Sequence, residues 1–243
     1  MGRHGTIAGR KAAQDSKRAA MFTKYAKAIT VAAKDGGDPD YNSSLRLAIE
    51  KAKAISMPND NIQRAIKKGT GELGGVSYEE LMFEGYGIGG VAVIVEALTD
   101  NTNRTTSSVR STFDKYGGNL GTPGCVSYMF ARKGVLVIDN EEGELDEDTV
   151  MEAALEAGAD DMVNEGDSFV VYSEPDAFAD VLSNMKEAGY EFVEADIERV
   201  PSVEATPKDE DLKKLSKMIA LLEENEDVQS VHHNCAVELL EDF

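Results

Sequence analysis

The chain has 243 residues, 42% of them hydrophobic, with a formal net charge of −20, enough for two or three domains with modest cores. No apolar run approaches the roughly 20 residues of a membrane span and no charged-then-apolar leader opens the chain, so no membrane partner is expected. Two cysteines give no disulfide framework and suit a reducing cytoplasm.

The net value conceals a sign reversal. Residues 1–68 carry fourteen Lys/Arg against six Asp/Glu, a net of +8, and the other 175 carry eleven against thirty-nine, a net of −28. The positive part draws in polyanions. Met1-Gly2-Arg3-His4-Gly5-Thr6 formally fits a myristoylation pattern, but a retained N-terminal domain is the simpler reading. Gly2 to Lys11 reads as a flexible basic arm.

From Asp15 to Lys34, a step of 100° per residue puts Phe22, Tyr25, Ala26, Ile29, Ala32 and Ala33 on one arc, which a helix buries. The opposite arc holds Arg10, Lys17, Lys24, Lys27 and Lys34 as a row of cations in solvent, with Gly36-Gly37 ending the helix; Arg18 falls on the apolar side. A second helix is predicted from Ser43 with Leu45, Ala48, Ile49 and Ala52 inward, ended by Pro58. A third follows, capped by Asn59 or Asp60, with Ile62, Ala65 and Ile66 inward and Gly69 as a left-handed stop. Lys51, Lys53, Arg64, Lys67 and Lys68 stay on the surface.

After Gly69 to Gly75 the period becomes strand-like. Glu80 to Tyr86 and Val91 to Leu98 form a hairpin, Asn103 to Tyr116 a helix and Val126 to Phe130 a strand. A run of the order βαββαβ follows from Val135 to Glu198, the order of a ferredoxin-like unit. A final helix, Asp209 to Glu223, and a strand, Val228 to Val231, would complete the interrupted sheet. The predicted class is therefore α+β: a basic helical domain (1–75), a discontinuous α+β domain (76–132 with 206–243), and an inserted acidic βαββαβ domain (133–205). The acidic surface either keeps the protein soluble or faces a basic partner.

The chemistry-bearing motifs are few. Gly69/Gly71/Gly74 and Gly85/Gly87/Gly90 both satisfy G-x-G-x-x-G, but neither leaves a strand to open a helix, so a joint and a hairpin turn are expected and no nucleotide cofactor. His232, His233 and Cys235 are too few for a structural zinc site. The segment around Asn101, Asn103, Arg104 and Thr105 either binds a phosphate or carboxylate or simply caps the helix it opens. Absent a nucleophile and base pair, no catalytic residue is assigned; a hydrolase or transferase built on Asp100 to Arg104 is the least favoured reading.

The cations Arg3, Arg10, Lys11, Lys17, Arg18, Lys24, Lys27, Lys34, Lys51, Lys53, Arg64, Lys67 and Lys68 form the candidate nucleic-acid surface, since such groups neutralise phosphates and release counterions without reading sequence. The second and third helices invite a helix-turn-helix reading. Pro58 in the turn and the short, apolar third helix leave few base readers for a groove.

Arg10-Lys11-Ala12-Ala13-Gln14-Asp15-Ser16-Lys17-Arg18, Leu45-Arg46-Leu47-Ala48-Ile49-Glu50-Lys51-Ala52-Lys53, Met57-Pro58-Asn59-Asp60-Asn61-Ile62 and Thr99-Asp100-Asn101-Thr102-Asn103-Arg104-Thr105 resemble the YebC/PmpR family, and the likeness spans essentially the whole chain. It departs from the family pattern at Gly5-Thr6-Ile7 and at Tyr128. The resemblance implies a helical bundle and two α+β domains, one inserted in the other. It also implies a cytoplasmic, non-enzymatic protein of one of two kinds. One is a DNA-binding transcriptional regulator. The other is a translation factor that meets ribosomal RNA and ribosomal proteins, akin to the mitochondrial translational activator of cytochrome c oxidase, and eases synthesis of proline-rich stretches.

Overall fold

The computed structural model describes residues 7–74, 77–140 and 142–240, with side chains from residue 19 onward. The chain divides into two compact units, Met1–Ser127 with Glu204–Phe243, and Tyr128–Val203.

The first unit opens with three helices, α1 (Ile7–Ala32), α2 (Ser43–Ala54) and α3 (Asn59–Gly69). Helix begins at Ile7, so the segment expected as an arm is already helical there; Gly2 to Thr6, Arg3 included, lie outside the described residues. Ile29 of α1 and Ala33 of the 3-10 turn after it meet Leu45, Ile49 and Ala52 of α2 and Ile62, Ala65 and Ile66 of α3 in one apolar core, with Phe22, Tyr25, Ala26 and Ala32 packed against it. The Asn42 side chain fastens the bundle. Its oxygen accepts from the Leu45 N–H at 3.0 Å, capping α2, and its amide donates to the Ala32 and Gly36 carbonyls at 2.8 Å each.

Two local expectations are corrected in α3. The residue preceding the helix is Pro58, which supplies no side-chain cap, and Asn59 is already helical. Gly69 is helical too, not left-handed. A Cβ there would lie 2.3 Å from the Thr30 carbonyl oxygen and 2.6 Å from the Ala33 Cβ, so the glycine lets α1 and α3 approach.

The same unit continues with β1 (Glu79–Tyr86), β2 (Ala92–Thr99), α4 (Thr102–Lys115) and β3 (Asn119–Leu120), and later resumes with α7 (Asp209–Glu223) and β8 (Val228–His233). The strands form an antiparallel sheet of order β3-β1-β2-β8, with Phe83 opposite Val95 and Val93 opposite His233. Val91, Val93, Val95 and Ala97 pack with Val109 and Phe113 of α4 and Leu215, Met218, Ile219 and Leu222 of α7.

The expected strand Val126 to Phe130 is absent. Ser127–Met129 is a 3-10 turn, and Phe130 begins a strand of the other unit. The cause is the buried Glu84 of β1, whose carboxylate accepts the N–H groups of Gly124, Val126 and Ser127 at 2.8, 3.0 and 2.8 Å. Amides spent on a carboxylate cannot join a ladder, so on the edge of β1 away from β2 only the two-residue β3 pairs.

The second unit runs β4 (Phe130–Asp139), α5 (Glu147–Ala157), β5 (Asp161–Asn164), β6 (Ser168–Ser173), α6 (Phe178–Glu187) and β7 (Glu194–Pro201). Its sheet has the order β5-β6-β4-β7 with every neighbouring pair antiparallel, the ferredoxin-like arrangement. Leu136, Phe169 and Val171 of the strands and Val150, Val181 and Met185 of the helices are buried. Among the described residues no helix is long and apolar enough to cross a membrane.

Candidate nucleic-acid interface

Of the cations that the helical projection puts in a solvent row, Lys27 is not in solvent and Lys24 is only partly so. Lys27 is buried, 7% exposed, and its ammonium sits 2.5 Å from Asp227 Oδ1 and 2.9 Å from the Glu226 carbonyl oxygen, in the turn between α7 and β8. Lys24 is half-buried: burial pushes its pKa down, Glu223 pulls it up, and Lys51 pushes it down again. Lys34 is exposed and reaches the Tyr78 carbonyl at 3.4 Å. The middle of α1 is thus covered on two sides, by the apolar core and by the α7–β8 turn. Arg10, Lys11, Lys17 and Arg18 belong to α1, but their side chains lie outside those described.

Asp227 is also where the Asn101 to Thr105 segment ends up. Asn101 caps α4 by accepting from the Arg104 N–H at 3.0 Å. The Arg104 guanidinium donates to Asp227 at 2.8 to 3.2 Å and to Asp100 at 3.0 Å, and the buried Thr105 hydroxyl lies 2.8 Å from both Asp227 Oδ2 and Thr99 Oγ1. The carboxylate this segment holds is the chain's own. Asn103 remains exposed on α4. Burial pushes the Asp227 carboxyl up, but the hydrogen bonds from Lys27, Arg104 and Thr105 outweigh it and hold the group below its ordinary value. Glu84 follows the same logic, with burial opposed and exceeded by its three backbone N–H donors. No sequence pattern marks Asp227; a carboxylate in a turn after a helix is ordinarily a solvated one.

Within the basic helical domain, α2 and α3 carry exposed cations among the described residues. Lys53, Arg64 and Lys67 are exposed and make no side-chain hydrogen bond or ion pair to any described residue, while Lys51 and Lys68 are half-buried. Lys51, Lys53, Lys67 and Lys68 stand in the last turns of their helices, where the helix dipole also favours positive charge. Between the two helices and the loop after α1 opens a cleft of about 420 Å³, floored by Ile49, Ile62 and Ile66 and bordered by Lys53, Asn59 and Gln63.

The chain is similar to known proteins along most of its length. The profile of the TACO1/YebC protein N-terminal domain matches residues 3–72, and that of the TACO1/YebC second and third domain matches residues 78–235. A probable transcriptional regulatory protein of Clostridioides difficile is 52% identical over 240 residues, covering 98% of this chain and 100% of that one. One of Treponema denticola is 53% identical over 239 residues, covering 98% and 95%. The crystal structure of a conserved hypothetical protein from Aquifex aeolicus superposes with a TM-score of 0.82 at 43% identity, covering 94% of this chain and 93% of that one.

Proposed function

Because the chain belongs to the TACO1/YebC family, whose relatives are named probable transcriptional regulatory proteins, we propose that it is a non-enzymatic regulator of gene expression. It acts in the cytoplasm by binding nucleic acid, with DNA as the first target, through its basic helical domain. The observation that carries this reading is the set of exposed cations Lys53, Arg64 and Lys67, which make no side-chain hydrogen bond or ion pair to any described residue, in the one region whose net charge is positive. Three phosphate contacts give a salt slope of about −2.7 on a duplex and about −2.1 on a single strand. In the segment Asp100 to Arg104 the Arg104 guanidinium is engaged by Asp227 and Asp100.

A second reading is favoured by the charge asymmetry. A body of net −28 is repelled by a long duplex, whereas RNA interleaved with basic proteins attracts both signs. That describes a ribosome-associated translation factor.

The test is co-sedimentation of the full chain with ribosomes from gently lysed cells, beside recovery of chromosomal fragments, for the native protein and for Lys53→Glu/Arg64→Glu/Lys67→Glu. Recovery on discrete DNA that the reversal abolishes supports the DNA regulator. Stoichiometric, cation-dependent ribosome association makes the translation reading primary. Binding to either that survives the reversal at low salt removes the basic face from the argument.

A further inference from the structure

The cleft between α2 and α3 has three properties that a plain basic surface lacks. Its floor is made by the edges of Ile49 and Ile66, each 9% exposed, above the buried Ile62. Its border along α3 carries two carboxamides, Asn59 and Gln63, one helical turn apart and so on the same side of the helix. Neither amide, nor Lys53 across the cleft, makes a side-chain hydrogen bond to any described residue. Asp38, on the loop side, has one oxygen engaged by the Asp40 N–H at 3.0 Å.

We propose that this cleft holds one unstacked nucleotide of a single-stranded nucleic acid, with the base against the isoleucines, its edge read by Asn59 and Gln63, and its phosphate at Lys53. The proposal rests on the nucleic-acid reading above and narrows it. A volume of about 420 Å³ lies within the roughly 300–1,000 Å³ of small-ligand sites. Apolar side chains serve as plates for an extruded base, and a carboxamide offers both donors and an acceptor to a Watson–Crick edge. Those edges are exposed in single strands and occupied in a duplex, which must first be unpaired and unstacked. Lys67 follows Gln63 by four residues on the same ridge of α3, with Arg64 beside it, so the flanking phosphates have cations along the path the strand would take.

The experiment measures fluorescence anisotropy of the full-length protein with labelled eight-nucleotide RNA and DNA homopolymers and with a hairpin duplex, from 50 to 200 mM salt. The native protein is expected to bind single strands more tightly than the hairpin and to discriminate among the bases. The RNA and DNA arms report whether the ribose matters. Asn59→Ala and Gln63→Ala should each lower single-strand affinity about fivefold and flatten base discrimination without changing the salt slope. Lys53→Ala should reduce the slope by about 0.7. A circular-dichroism melt verifies that each variant folds. Preference for the hairpin, or affinity and discrimination unchanged in both amide variants, overturns the cleft and leaves the basic-face reading standing. Failure of the native protein to bind any of these probes at low salt overturns both.

Discussion

Replacing Asp227 by alanine strands the buried Lys27 ammonium and removes one of the two carboxylates that Arg104 holds. Lys27 and Asp227 are buried together, with side-chain exposures of 9% and 6%, their charged atoms 2.5 Å apart. With the carboxylate gone, the Lys27 ammonium keeps the Glu226 carbonyl and the Tyr78 ring 6.0 Å away, the Thr105 hydroxyl loses an acceptor, and Arg104 keeps Asp100. Removing one partner of a buried pair costs about 3–5 kcal/mol, because the survivor has already lost its water. At about 2–4 °C per kcal/mol for a unit of this size, the melting temperature should fall by about 6–20 °C. The chain has no tryptophan, so far-UV circular dichroism in urea and on heating is the appropriate readout. The informative companion is Lys27→Met/Asp227→Leu, which removes both charges and should recover most of the loss. A cost below about 1 kcal/mol for Asp227→Ala, or a double variant no more stable than the single one, would refute the argument that this pair fixes α1 to the α7–β8 turn.

Acid should act through the same groups. The carboxyls of Asp227 and Glu84 are held below their ordinary value. The stability they contribute is therefore complete above the unfolded carboxylate pKa of about 4 and is lost as pH falls through the lower folded value. Melting temperature against pH should be flat above about pH 5 and fall below about pH 4, and Glu84→Gln should weaken that dependence. Gly69→Ala should destabilise the helical domain by about 1–3 kcal/mol, since its Cβ would overlap the Thr30 carbonyl; a native melt would show that α3 can shift away. Ile29→Asp should unfold the same domain by burying an unpaired charge, whereas Arg64→Glu, on an exposed face, should leave the melt within about 0.5 kcal/mol of native.

How much of this was legible in the sequence depends on the range of the interaction. The apolar arc of α1 was readable because helical periodicity is local, and Ile29, Ala33 and their neighbours are indeed the core. The βαββαβ order and the final helix were readable for the same reason, each element carrying its own period and turn chemistry. The strand expected at Val126 to Phe130 failed because its amides are claimed by Glu84, some forty residues away, and no local pattern records such a claim.

Spacing and side-chain type by themselves determined the helices, most of the strands, the inward faces and the split of charge along the chain, since each is local to a few turns. Only the tertiary structure decided which polar face is also an inside face. The row expected in solvent through Lys24, Lys27 and Lys34 is partly consumed by a contact between Lys27 and Asp227, 200 residues apart. That contact exists because a buried ammonium must find a carboxylate, wherever in the chain it lies. Lys53, Arg64 and Lys67 stay exposed on α2 and α3, beside a cleft that neither helix forms alone.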